Sequence, residues 1–116
     1  MQSANPDHFI NTQMCNVGIW KRKSEKYLLS SGLEYTIIHP GGLVDTPEDG
    51  ENIQVGVNDS IYAKPMPTTR RSTVARFAVD CVNLKAAYGK SFDLVEYKSD
   101  KGFKRDTPTE EILTKG

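Results

Sequence analysis

Two cysteines in 116 residues, Cys15 and Cys81, are too few for a disulfide framework, and neither forms a CxxC pair or a Cys/His cluster with zinc spacing. The sequence therefore offers no structural metal site and no covalent staple. No apolar run approaches the roughly 20 residues that span a bilayer, and the N-terminus lacks a signal-peptide core. Membrane insertion is not expected. Fifteen basic residues cancel fifteen acidic ones, so no global field would gather nucleic acid, an anionic membrane or acidic substrates. Apolar residues are also scarce, at 37%, with a mean hydropathy of -0.52. A modest core, or a piece that leans on something else, is the consequence. No GxGxxG, GxxGxxG or phosphate-binding P-loop occurs, and no Ser/His/Asp motif or aromatic-basic nucleic-acid stripe.

What is present is concentrated in one stretch, VGIWKRKSEKYLLSSGLEYTIIHPGGL, from Val17 to Leu43. Val17, Trp20, Ser24, Tyr27, Leu28 and Ser31 recur at helical spacing and predict one amphipathic helix. Asn16 is its expected N-cap, and Ser31-Gly32 followed by Leu33 suits a left-handed C-terminal cap. The basic cluster Lys21, Arg22 and Lys23 lies on this helix, where Arg22 and Lys23 read as a solvated face. Glu34 to His39 then predicts a short strand, closed by Pro40-Gly41-Gly42. A helix feeding a strand through a glycine connection is half of a βαβ unit, and such a strand expects a parallel neighbour. In open α/β sheets ligands sit beyond the carboxyl ends of the strands, which singles out the loop after His39.

The rest of the chain follows the same logic. Residues 1–15 read as loop with one turn of structure at most, residues 16–97 as α/β units, and residues 98–116 as a charged tail with a short helix. Such a start resembles a fold entered partway through. Asp45 to Gly50 is turn chemistry, and Asn52 to Val57 alternates with Ile53, Val55 and Val57 on one side. Pro65 and Pro67 confine any strand between Asp59 and Arg71 to an edge or to Ser60–Lys64. Ser72 or an adjacent Thr is expected to cap a second helix whose core face is Val74, Ala75, Ala78, Cys81 and Val82. A strand over Ser91–Tyr97 follows, with Phe92 and Leu94 inward. Thr107-Pro108-Thr109-Glu110 reads as a capping box with proline at the first helical position. Among polar candidates, Asp45, Glu48, Asp49 and Glu51 fall in a solvated loop, His8 has no partnered nucleophile, and His39 reads as structural, with a ligand contact as the alternative.

The run KRKSEKYLLSSGLEYTIIHPGGL, preceded by NPDHF and followed by RRSTVARFAVDCV and KSFDL, resembles the atypical short-chain dehydrogenase/reductases, the NmrA-like NAD(P)-binding family. The shared marks are Lys21 four residues before Glu25, then Leu28, Ser31-Gly32-Leu33 and Tyr35-Thr36-Ile37, over nearly Asn5 to Leu94. The resemblance implies the C-terminal portion of a Rossmann-like NAD(P)-binding α/β fold, lacking the N-terminal glycine-rich βαβ half. It implies that Lys21 hydrogen-bonds the nicotinamide-side ribose and that Pro40, Gly41, Gly42 and Leu43 lie against the nicotinamide. Ammonium donors and side-chain-free backbone suit those tasks. Two departures are plain. Val17 stands where classical members carry the proton-donating tyrosine, and His39 stands where the family often has arginine.

Two functions are therefore expected of such a chain. One is the nicotinamide-side wall and part of the substrate pocket of an NADP- or NAD-dependent oxidoreductase. The chain alone should bind the dinucleotide weakly or not at all, because the pyrophosphate site dominates affinity. The other is a non-catalytic assembly subunit that retains half a fold and needs its sheet edges covered. Expected partners are the missing N-terminal half or other protein subunits, in the cytoplasm or an organelle matrix, plastids included.

Overall fold

The computed structural model describes residues 4–45, 52–57, 67–97 and 102–116. The chain divides into two compact units, Met1–Tyr35 and Thr36–Gly116.

The first unit is a helical pair, α1 (Phe9–Gln13) and α2 (Val17–Ser30), so the single turn expected before residue 15 is α1. Asn16 does not cap α2: it sits in the left-handed region at φ 59° and makes no side-chain capping bond. The cap comes from Asn11 instead. Its Oδ1 accepts the Ile19 amide at 3.1 Å while its Nδ2 donates to the Asn5 carbonyl at 2.7 Å, and the side chain is buried. A local-sequence rule misses this cap because the donor it satisfies lies eight residues downstream. The C-terminus behaves as read, with Gly32 at φ +79° just beyond Ser31.

Among the described residues the second unit is a six-stranded mixed sheet. Its strands are β1 (Thr36–Pro40), β2 (Gly42–Val44), β3 (Asn52–Gly56), β4 (Thr68–Arg70), β5 (Lys90–Tyr97) and β6 (Phe103–Lys104). Strand β5 organises it. One edge pairs antiparallel with β3, while the other pairs first with β1 in parallel, Thr36 opposite Lys90 through Pro40 opposite Leu94, and then with β4 at Glu96. The parallel neighbour expected for the His39 strand is β5. Phe92 to Glu96 are all buried, as a strand covered on both faces requires. Helix α3 (Arg71–Cys81) and helix α4 (Thr109–Lys115), with a 3-10 turn at Lys85–Ala87, complete the unit.

One continuous core forms where Ile53, Phe92 and Leu94 meet Phe77 and Cys81 of α3 and Ile112 and Leu113 of α4. The Phe77 and Phe92 rings are 6.2 Å apart and tilted by 55°, a favoured aromatic arrangement. Polar ties close the periphery. Thr36 Oγ1 donates to the Ala87 carbonyl at 2.7 Å, Lys90 Nζ to the Leu113 carbonyl at 3.1 Å, and Thr109 Oγ1 to Asp80 Oδ2 at 2.6 Å. The Arg76 guanidinium donates to the carbonyls of Arg105 and Thr107.

Several expectations are corrected here. Helix α3 buries Thr73, Phe77 and Cys81, so its core face is rotated from the one expected, leaving Ala75, Ala78 and Val82 exposed. Phe77 is the reason: one aromatic ring removes more apolar surface than the alanines together, so it claims the core. Neither Ser72 nor a threonine caps α3. Arg70 occupies that position, and its amide donates to the buried Glu96 carboxylate at 2.9 Å. A strand, β4, follows Pro67, since proline at a strand's start costs no ladder bond. Val57 is exposed beyond the end of β3. At α4 the capping position is Pro108, with no side-chain cap, since the Thr109 hydroxyl is spent on Asp80. The expected strand at Ser60–Lys64, Glu48, Asp49 and Glu51, and most of the Asp45–Gly50 turn lie outside the described residues.

Candidate functional site

The loop singled out from the sequence is where the chain leaves one strand partner for another. Strand β1 ends at Pro40 against Leu94 of β5, and β2 starts two residues later at Gly42 against Thr68 of β4. Gly41 is the hinge between them. Its amide donates to the Leu94 carbonyl at 3.1 Å and to Thr69 Oγ1 at 2.9 Å, while the Gly42 amide donates to the Pro67 carbonyl at 3.1 Å. Thr69, fully buried, donates its own hydroxyl hydrogen bond to the same Leu94 carbonyl at 2.7 Å. A Cβ at Gly41 would collide with the Pro67 carbonyl oxygen, whereas one at Gly42 would rest 3.8 Å from the Thr68 methyl. Gly41 is thus demanded by close backbone approach and Gly42 is not.

These bonds define what the loop can offer a ligand. The Gly41 and Gly42 amides are already committed to protein acceptors, so they present no donor to a carboxamide. What remains is a backbone edge ending in Leu43, whose side chain is 48% exposed. That suits one face of a flat ring and not an anion.

Beside the loop a half-buried histidine meets a buried carboxylate. His39 and Asp93 face each other across the β1–β5 ladder, Nδ1 to Oδ1 3.5 Å, and the next position on β3 is Gly56. Alternation along the strand puts this pair on the sheet face opposite Phe92 and Leu94. Glu96, also buried, takes the Arg70 amide on one oxygen and has Arg105 Nε 3.6 Å from the other.

The remaining site residues belong to the first unit. Lys21 is exposed on α2, and its ammonium makes no hydrogen bond or ion pair among the described residues. Its neighbours differ: Arg22 pairs with Glu25 at 3.2 Å, and Lys23 lies over the Trp20 ring at 4.4 Å. The lysine resting on Trp20 is therefore Lys23, which leaves Lys21 available. Val17 is half-buried at the start of the same helix. Of the five candidates, the structure joins Pro40, Gly41, Gly42 and Leu43 in one connection and describes Lys21 in the other unit.

Cys81 sits in the core, and burial, with the Asp80 carboxylate adding to it, pushes its thiol up from the ordinary value. It is inert filling. Cys15 is the exposed thiol. No group of three or more potential ligands that could hold a metal ion occurs among the described residues.

Comparison with known proteins now decides the family. The sequence model described as NAD(P)H-binding matches residues 2–85. The chain belongs to the NAD(P)H-binding family. An uncharacterized chloroplastic protein of Arabidopsis thaliana is 35% identical over 113 residues, covering 97% of this chain and 34% of its own length. Sanguinarine reductase of Eschscholzia californica is 36% identical over 95 residues, 81% of this chain and 35% of that protein. The chloroplastic protein TIC 62 of Pisum sativum is 28% identical over 100 residues, 84% of this chain and 18% of that protein. The chain thus spans about a third or less of these relatives. Among solved structures, a Bacillus halodurans protein described as an NAD-dependent epimerase/dehydratase superposes with a TM-score of 0.71 at 22% identity, covering 99% of this chain and 48% of that one. The fold is accordingly Rossmann-like α/β.

Proposed function

We propose that this chain is the C-terminal, nicotinamide-side portion of an NmrA-like atypical short-chain reductase that uses NADP or NAD. The observation that carries the reading is the family match through residues 2–85, which includes both Lys21 and the hinge at Gly41. In this reading Lys21 donates hydrogen bonds to the ribose hydroxyls. Pro40 to Leu43 form a wall that keeps water from one face of the ring, by shape alone because their glycine amides are already bonded. The bound reduced cofactor would supply a hydride. Val17 supplies no proton, so the chemistry does not run through the usual tyrosine. The chloroplastic relatives support a plastid location.

A direct test replaces the matching segment of the Eschscholzia reductase with this chain and measures NADPH binding by calorimetry. Binding is expected, with Lys21→Ala weakening it about ten-fold, the scale of a hydrogen bond from a charged donor. A chimera that folds and does not bind NADPH would remove the cofactor reading.

A second reading has its own observation. Trp20, Tyr27 and Leu33 are 63%, 79% and 66% exposed, large apolar groups that a partner would cover. This favours an assembly subunit that binds other protein through its helical unit. A chain that sediments as a monomer, melts cooperatively and captures no partner would count against it.

A further inference from the structure

The hinge at Gly41 is not held by the β1–β5 ladder alone. Thr69 lies on β4, one residue past the Thr68–Glu96 bridge, yet its hydroxyl reaches across to β5 and to the end of β1 at once. It accepts from the Gly41 amide at 2.9 Å and donates to the Leu94 carbonyl at 2.7 Å, with none of the residue exposed. A hydroxyl is the smallest group that can accept and donate simultaneously. The side chain therefore locks three strands at the point where the chain changes partner. The Pro67 carbonyl also packs closely against Gly41, where a side chain would have no room.

We propose that Thr69 is the positioning residue of the nicotinamide wall: its hydroxyl sets where Gly41 to Leu43 stand, and so how closely a flat ring can approach them. The inference rests on the cofactor reading above. It makes Thr69 part of the site without touching the ligand. Geometry at a wall of this kind matters, because small misplacements are felt strongly in affinity and rate.

The test uses the full 116-residue chain with reduced nicotinamide mononucleotide as the probe, which needs no pyrophosphate cradle. Amide shifts are followed by NMR in the wild type, Thr69→Ser and Thr69→Val, alongside amide exchange and urea midpoints. The wild type is expected to show probe-induced shifts at Gly42 and Leu43. Thr69→Ser keeps the hydroxyl and should keep both shifts and exchange rates. Thr69→Val keeps the volume, loses both bonds, and should raise Gly41 exchange about ten-fold, the scale of one lost hydrogen bond, while the exchange of β3 amides stays unchanged. The probe shifts should then shrink or vanish.

If Thr69→Val leaves the probe shifts intact in a wild type that binds, the positioning role is overturned and the cofactor reading stands. If a fall in the urea midpoint accompanies equal changes in every strand, the role is plain packing and the proposal fails. A wild type with no probe shifts overturns the positioning role in this chain, while NADPH calorimetry on the chimera decides the cofactor reading separately.

Discussion

Asp93 stands directly opposite His39 across two parallel strands, 2% exposed, with its carboxylate oxygen 3.5 Å from the imidazole Nδ1. A carboxylate that deep is tolerated only while its partners hold it. Replacing His39 with leucine should therefore cost stability out of proportion to the lost ring, by about 2 kcal/mol, as the carboxylate goes short of one partner. The double variant His39→Leu/Asp93→Leu should cost less than the sum of the two single ones. Urea denaturation of all four proteins measures the coupling, and simple additivity would show that the pair does not interact.

Neighbouring glycines should respond in opposite ways. Gly41→Ala forces a methyl into the Pro67 carbonyl and is expected to destabilise the sheet unit by about 2 kcal/mol. Gly42→Ala meets only ordinary packing, and its effect should stay within about 0.5 kcal/mol. Equal losses at the two positions would contradict the hinge geometry.

Asn11 holds the start of α2 from the previous helix. Asn11→Ala should cost about 1 kcal/mol, the scale of a lost N-cap, and speed the exchange of the Ile19 amide first. Asn11→Asp keeps the accepting oxygen and should restore much of that protection. An Ile19 amide that exchanges no faster in the alanine variant would refute this cap.

Alkaline pH should weaken the fold through Cys81. Burial raises its thiol above the ordinary value of 9.0, with Asp80 acting in the same direction. The folded state keeps a proton there that the unfolded chain releases, so stability is whole below pH 9.0 and falls as pH rises past it. Cys81→Ala should flatten that decline in denaturation midpoints taken between neutral and alkaline pH. At neutral pH iodoacetamide should modify Cys15 and spare Cys81.

Much of this was legible in the residues. Helix α2, the β1 strand, the parallel neighbour it needed and the terminal helix all follow from periodicity, β-branched content and turn chemistry, because those signals are local. The loop after Pro40 was legible for the same reason. What escaped was settled across space. Asn11 caps a helix it does not belong to. Thr69 and Glu96 gain their roles only when β4 comes to lie beside β5, and TTRR carries no period that would announce it. The α3 face is ambiguous in sequence because alanines and valines on both sides give two stripes, and only the fit of Phe77 against Phe92 chooses between them.

Strand β5 carries β3 on one edge and both β1 and β4 on the other. No neighbour can detach without exposing its central amides, and none of those amides can open alone. Their hydrogen exchange should then proceed only through global unfolding, so the slowest amides of β5 would report the full stability of the sheet unit. The short strand β2, tied to β4 and not to β5, lies outside that cooperative block. The segment that carries Leu43 is thus fixed at its Gly41 end through Thr69 and should open from its Val44 end first, while the strand that leads into it stays shut.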